Sequence, residues 1–143
     1  MITRFSHSTI WVLDQAAAKE FYTKTLGFVV RDEVTTDFFS WLTVSPPDQA
    51  DIRLVLMEPG SPAHDPETEA QIRSLIAKGA LGGGVFDTDD CRKTYEQLSA
   101  AGVVFTQEPA ERPYGVEAVF RDDSGNWFSL TERRGWDPEK PFA

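Results

Sequence analysis

Two histidines and one cysteine are the least common side chains of this sequence among the types that can support catalysis or metal binding. An imidazole can act as a general base or as a metal ligand, and the two candidates are His7 and His64. We interpret His64, between two prolines, as an exposed loop residue. We expect His7 to face a ligand site, although no carboxylate partner at a fixed spacing supports catalysis by it.

A cysteine and a run of glycines could also belong to a functional site, but the sequence favours neither. Cys91 begins a predicted helix, where the helix dipole could lower the pKa of a thiol, but packing or simple exposure is the commoner fate, and we assign it no chemistry. The run Gly82-Gly83-Gly84 precedes a predicted strand, and no Lys-Ser or Lys-Thr follows it as a phosphate-binding loop requires. We interpret the run as a flexible strand entry or a place where a ligand approaches the backbone closely.

Composition limits the function classes. The chain has 143 residues, which fits one domain, and a net charge of −9, which repels nucleic acid and anionic membrane surfaces. No apolar stretch approaches the ~20 residues that span a bilayer. A single cysteine excludes an internal disulfide, and the first 14 residues lack a continuous apolar signal, so we expect a cytoplasmic protein.

The chain reads as two copies of one βαβββ module. In the first copy a strand at 8–12 leads to Asp14 as helix N-cap and Gly27 as C-cap, and three strands follow at 28–34, 38–44 and 52–57. Asp89 and Gly102 repeat that cap pair 75 residues later, with Asp90 as the alternative N-cap. The second copy has strands at 85–88, 103–106, 116–121 and 127–131.

These patterns predict a single domain over 1–143 with four parts. Module 1 covers about 1–58 and module 2 about 81–132. Between them, a segment at about 60–80 should contain a helix with Asp65 as N-cap and Ile72, Leu75 and Ile76 as its apolar stripe. The tail, 133–143, lacks periodicity.

Several motifs resemble the vicinal oxygen chelate superfamily, which includes glyoxalase I, extradiol dioxygenases and bleomycin-resistance proteins. The likeness runs from His7 to Leu130, and its motifs are His7 seven positions before Asp14, Phe21-Tyr22 before Leu26-Gly27-Phe28, Ala101-Gly102-Val103, and Arg121-Asp122-Asp123-Ser124-Gly125-Asn126. It implies an α+β fold, in which two βαβββ modules form a curved mixed sheet around a cleft with helices on the convex face. It also implies a homodimer.

The resemblance implies four metal ligands in the metal-dependent members, and this sequence retains one of them. His7 stands at the first position, and the second maps near Leu54, with Glu58 a weak substitute. The third falls on Gly82 or Gly83, and the fourth falls on Ser129. We therefore expect no cofactor, with a divalent metal as the alternative.

The tryptophans complete the expected site. Trp11 shares strand parity with His7, and Trp127 shares it with Ser129, so the family geometry would turn all four toward the cleft, where Trp41 could join them. The alternative is a core or interface role. We expect a protein that binds a small aromatic or cationic ligand without metal; the alternatives are a metal-dependent lyase, isomerase or transferase like glyoxalase I, or a protein-interaction module.

Overall fold

Two four-stranded mixed sheets and three helices make up the protein, seen here in a computed structural model that describes residues 1–143. The chain divides into two compact units, residues 1–78 and 79–143. The elements of the first unit are β1 (His7–Trp11), α1 (Gln15–Glu20), which continues as a π-helical turn (Phe21–Thr25), β2 (Val29–Thr35), β3 (Ser40–Ser45), β4 (Arg53–Met57) and α2 (Pro66–Ala77). Those of the second are β5 (Gly82–Asp87), α3 (Cys91–Ala100), β6 (Val104–Arg112), β7 (Gly115–Arg121) and β8 (Trp127–Arg133).

Both sheets share one topology. The strand order is β1-β4-β3-β2 in the first unit and β5-β8-β7-β6 in the second. In each, the first strand runs parallel to the last strand of its module, and the other pairs are antiparallel. The predicted α+β fold with a duplicated βαβββ module is therefore confirmed.

The predicted helix caps are present in the structure. The carboxylates of Asp14, Asp65 and Asp90 each accept a backbone N–H from three residues further on. Gly27 and Gly102 end the helical segments of the two modules with φ values of 77° and 92°, which only glycine adopts without strain. Of the two aspartates proposed for the second module, Asp90 is the N-cap.

Alternation along β1 separates a core face from an open face. Ile10 and Val12 are buried, whereas His7 and Thr9 are exposed and Trp11 is partly exposed. The core of the first unit is completed by Ala18, Tyr22, Leu42, Val44, Val55, Leu56 and Ile76, and that of the second consists of Cys91, Val103, Val116, Ala118, Phe120, Phe128 and Leu130. Burial raises the pKa of the Cys91 thiol, which donates to the carbonyl of Leu130.

Three local predictions were wrong. β3 begins at Ser40 rather than at residue 38, because Thr36 N–H bonds to the Phe39 carbonyl and closes a turn. β6 extends to Arg112, well past residue 106, because it forms a long hairpin with β7. In the stripe of α2 only Ile76 is buried, whereas Leu75 is exposed. None of the three helices is both long and apolar enough to cross a bilayer.

The glycines at the start of β5 leave room for two aromatic rings of the neighbouring strand. A Cβ atom placed on Gly83 would overlap the ring of Phe128, a residue that is only 1% exposed. A Cβ on Gly82 would lie 2.6 Å from Cζ2 of Trp127. We expected a flexible strand entry or a ligand close to the backbone, but the groups that approach these glycines are two aromatic rings of the neighbouring strand.

We expect Gly83→Ala to lower the free energy of unfolding by about 1–3 kcal/mol, because Phe128 must leave its place in the core. Urea denaturation measures this. Gly135→Ala is the control, since nothing lies within 4 Å of a Cβ there. Equal stability of the two variants would contradict the packing role.

Candidate functional site

A pocket of about 140 Å³ lies in the first unit, at the ends of β1 and β4. Its floor is formed by Trp11 and Met57, which the parallel register places side by side. The other lining residues are Gln15, Phe38, Phe39, Ser40, Glu58, Gly60, Ser61, Pro62 and Ala63. An apolar cavity of roughly 150 Å³ holds one benzene ring, so this pocket fits a single aromatic ring of a ligand.

Aromatic rings line and support this pocket. Phe38 and Phe39, in the turn between β2 and β3, are 85% and 50% exposed, far more than aromatic side chains usually are. His64 packs edge-on against Trp11, with ring centroids 4.6 Å apart. His64 lies in a loop, as predicted, but the expectation that it is exposed was wrong, since its Nδ1 accepts the Gly60 N–H at 3.1 Å and the residue is partly buried.

A carboxylate lies at the mouth of the pocket. Glu58 accepts the backbone N–H of Gln15 at 3.0 Å and lies 3.5 Å from Nη2 of Arg73. Arg73 also pairs with Glu69 at 3.2 Å, so this cluster carries two acidic groups for one basic group. The Gln15 amide donates to the carbonyls of Ser40 and Leu56 and ties the pocket wall to both strands. The rim therefore favours neutral or cationic ligands.

His7 and Trp41 form a second aromatic contact outside this pocket. Their ring centroids are 5.9 Å apart, and Ser6 Oγ lies 2.8 Å from Nδ1 of His7. Trp11 lies four positions after His7 along β1, a distance of about 13 Å in an extended strand. The structure thus brings His7 together with Trp41 but leaves both away from the pocket at Trp11.

Asp32 on β2 lies at the centre of a polar cluster in the same sheet. Thr43 Oγ1 and Arg53 Nη1 both donate to its Oδ2, each at 2.7 Å. The hydrogen bond from Thr43 and the Arg53 guanidinium hold the pKa of the Asp32 carboxyl below its ordinary value. Arg53 is the register partner of His7. The charged residue beside His7 is therefore already paired with Asp32.

The residues present do not fit a chelated divalent ion. His7 lies opposite Arg53, and Glu58 is five residues further along, about 16 Å in an extended chain. No group of three or more histidine, cysteine, aspartate or glutamate side chains converges anywhere in the protein. Leu54, Gly82 and Gly83 offer no donor at the positions where the family resemblance implied one.

Ser129, at the fourth implied position, belongs to a buried hydrogen-bond network in the second unit. Its hydroxyl donates to Oε2 of Glu117 at 2.6 Å, and therefore Thr131 Oγ1, at 2.8 Å, must donate to Ser129. Tyr114 donates to the other oxygen of Glu117 at 2.8 Å. Burial raises the pKa of Tyr114, and Glu117 raises it further. Ser129 is 5% exposed, so its bonds are structural.

Trp127, the remaining predicted site residue, begins β8 in the same unit and is 41% exposed. Its indole covers the backbone of Gly82, its parallel partner on β5. The sequence analysis missed Phe38, Phe39 and Glu117. A signal existed for the phenylalanines, since two adjacent aromatic residues cannot both face the core of an alternating strand. No local signal pointed to Glu117, because its partners come from another strand.

One family model matches most of the chain, and several known proteins are similar to it. Residues 4–130 match the family described as the Glyoxalase/Bleomycin resistance protein/Dioxygenase superfamily. Among curated proteins, the uncharacterized protein YurT of Bacillus subtilis (strain 168) is 35% identical over 126 residues, which cover 88% of this chain and 96% of that protein. Among solved structures, UcmS2 matches with a TM-score of 0.88 and 55% identity over 92% of this chain and 99% of that one. TnmS3, described as an antibiotic binding protein from Streptomyces sp. CB03234, matches with a TM-score of 0.74 and 29% identity over 93% and 98%.

The polar cluster around Asp32 predicts a pH-dependent stability difference. A carboxyl whose pKa is lowered on folding contributes stability above its unfolded pKa of about 3.9, and that stability is lost as the pH falls through the lower folded value. We expect Asp32→Asn to destabilise the protein at pH 7 but to show a shrinking difference from the natural chain between pH 4 and pH 2.

Urea midpoints at pH 7, 4, 3 and 2 measure the effect. Asp48→Asn, at an exposed position in the turn between β3 and β4, is the matched control. A deficit in Asp32→Asn that stays constant across this range would show that the carboxylate charge is not responsible.

Proposed function

We propose that this chain, which belongs to the Glyoxalase/Bleomycin resistance protein/Dioxygenase superfamily, binds a small aromatic or cationic organic compound, and that it does so without a metal. The family membership confirms the resemblance drawn from the sequence motifs. Membership alone does not assign an activity, because the same fold supports both enzymes and binding proteins. The proposal therefore depends on the lining of one pocket.

The observation that carries the proposal is the aromatic pocket at Trp11. Three aromatic side chains, Trp11, Phe38 and Phe39, surround a space the size of one ring. Glu58 is the only charged residue among the lining residues. One of its oxygens accepts the Gln15 N–H, and the other forms an ion pair with Arg73. Such a lining provides stacking and cation–π contacts but no activated nucleophile.

One solved structure supports ligand sequestration as the biological role. TnmS3 is described as an antibiotic binding protein, and it matches 93% of this chain. An antibiotic with a flat ring system would place one ring in a pocket of this size and leave the remainder outside it. We infer that the protein binds such a compound and releases it unchanged.

Replacement of Trp11 is the direct test. We expect Trp11→Ala to weaken the binding of aromatic cations by several-fold to about 30-fold, because each well-placed cation–π contact contributes roughly 0.5–2 kcal/mol. Calorimetric titration of the natural chain against a series of aromatic cations of one to three rings identifies a ligand first. Trp41→Ala, which removes a tryptophan outside the pocket, is the control.

Two results would contradict the proposal. If Trp11→Ala and Trp41→Ala are both folded and lose the same affinity for the ligand, the ligand does not bind in this pocket. One tightly held divalent ion per chain, detected by elemental analysis and lost in His7→Ala, would favour the alternative function, a metal-dependent lyase, isomerase or transferase.

The assembly and location remain predictions. We expect a homodimer, as the family resemblance implies, and light scattering that gives about 16 kDa at all micromolar concentrations would contradict it. The cytoplasmic location and the absence of a nucleic-acid partner rest on composition alone, chiefly the net charge of −9.

A further inference from the structure

Arg121 differs from every other arginine of the chain. The others all donate to or pair with oxygen atoms of the protein. Arg121 forms no ion pair, and its Nε is buried without any acceptor. A buried, unpaired donor on a charged group is costly, so such a group calls for an explanation.

The nearest carboxylate along the chain does not neutralise Arg121. Asp122 points into the turn that follows β7, where its Oδ1 accepts the backbone N–H groups of Ser124, Gly125 and Asn126 at 2.9–3.0 Å. Its Oδ2 accepts the Asn126 side chain at 3.1 Å. Asp122 is 6% exposed and fixed by these bonds.

The guanidinium of Arg121 lies against the backbone of a glycine. A Cβ atom on Gly79 would lie 2.5 Å from its Cζ, so the group rests directly on the backbone there. Gly79 has a φ of 76°, which independently favours glycine. Only Nε is both buried and unpaired, and the two terminal nitrogens make no hydrogen bond within the protein, so those nitrogens reach solvent. A guanidinium packed on one side, with its terminal N–H groups open to solvent, suits a planar oxyanion.

The residue paired with Arg121 across the sheet is an exposed tryptophan. Arg121 is the antiparallel register partner of Trp127, and directly paired residues project from the same face of a sheet. Trp127 is 41% exposed and lies across Gly82, which sits beside it on β5. Two other carboxylates in this sheet are already paired: Asp87 with Arg133 at 2.7 Å, and Glu117 with Tyr114 and Ser129.

We propose that Arg121 and Trp127 form a binding subsite for the carboxylate of an aromatic acid. The guanidinium pairs with the carboxylate, and the ring of the ligand stacks on the indole. The subsite rests on the second unit alone and goes beyond the proposed function, which depends on the pocket at Trp11. It also changes the ligand class, since the pocket rim favours neutral and cationic compounds whereas Arg121 selects an anion.

Calorimetric titration with 2-naphthoate and its neutral analogue 2-naphthalenemethanol tests the subsite. The natural chain should bind the carboxylate about 10- to 100-fold more tightly than the alcohol, as the loss of a charge-assisted hydrogen bond predicts. Arg121→Gln should remove this preference, and Trp127→Ala should weaken both ligands. Arg121→Lys keeps the charge without the paired N–H groups, and we expect it to recover part of the preference.

Arg133→Gln is the matched control, because it removes the same charge from an exposed pair of the same sheet. Equal affinity of the natural chain for acid and alcohol, absence of naphthoate binding at millimolar concentration, or an equal loss in Arg133→Gln and Arg121→Gln would each overturn the proposal. Failure of the Trp11 titration leaves this test unaffected, because the probes and the variants are different.

Discussion

The parallel pairing of the first strand of each module with its last strand is the constraint on which the rest of the structure depends. A parallel pair requires a crossover, and here the crossover contains a helix that must begin and end within a few residues of the strands. Asp14 with Gly27, and Asp90 with Gly102, provide those boundaries. Once the crossover is set, the register follows, and it places Trp11 beside Met57 and Gly82 beside Trp127.

Each sheet also contains hydroxyl groups that need a hydrogen-bond acceptor. In both sheets a carboxylate is that acceptor. In the first sheet Asp32 accepts from Thr43 and Arg53, and in the second Glu117 accepts from Ser129 and Tyr114. A buried hydroxyl without a partner would cost about 1–3 kcal/mol, so these bonds stabilise the fold directly. These hydrogen bonds also engage the carboxylate oxygens, so a metal ion would have to compete with the donors for those oxygens.

The sequence predicts the features that depend on local chemistry. The helix caps, the order of elements along the chain and the duplication follow from aspartates, glycines and alternation, which act over a few residues. The pocket depends on contacts that cross the fold: Phe38 and Phe39 come from a turn, and His64 reaches Trp11 from a loop more than fifty residues away. Parity correctly grouped His7 with Trp11 on one strand face, but parity carries no information about the distance of about 13 Å between them. The predicted ligand residues were therefore only partly brought together.

The network around Ser129 couples any new metal ligand at that position to a residue on the adjacent strand. The Ser129 hydroxyl donates to Glu117, so Ser129→Glu would replace a donor to Glu117 with a second acidic group. Two carboxylates that close repel each other, and without a cation one of them would hold a proton. Glu117 would keep Tyr114 as a donor and Arg112 at 3.9 Å, so it is already engaged by other groups. A metal at this position would therefore have to displace a proton and compete with those partners.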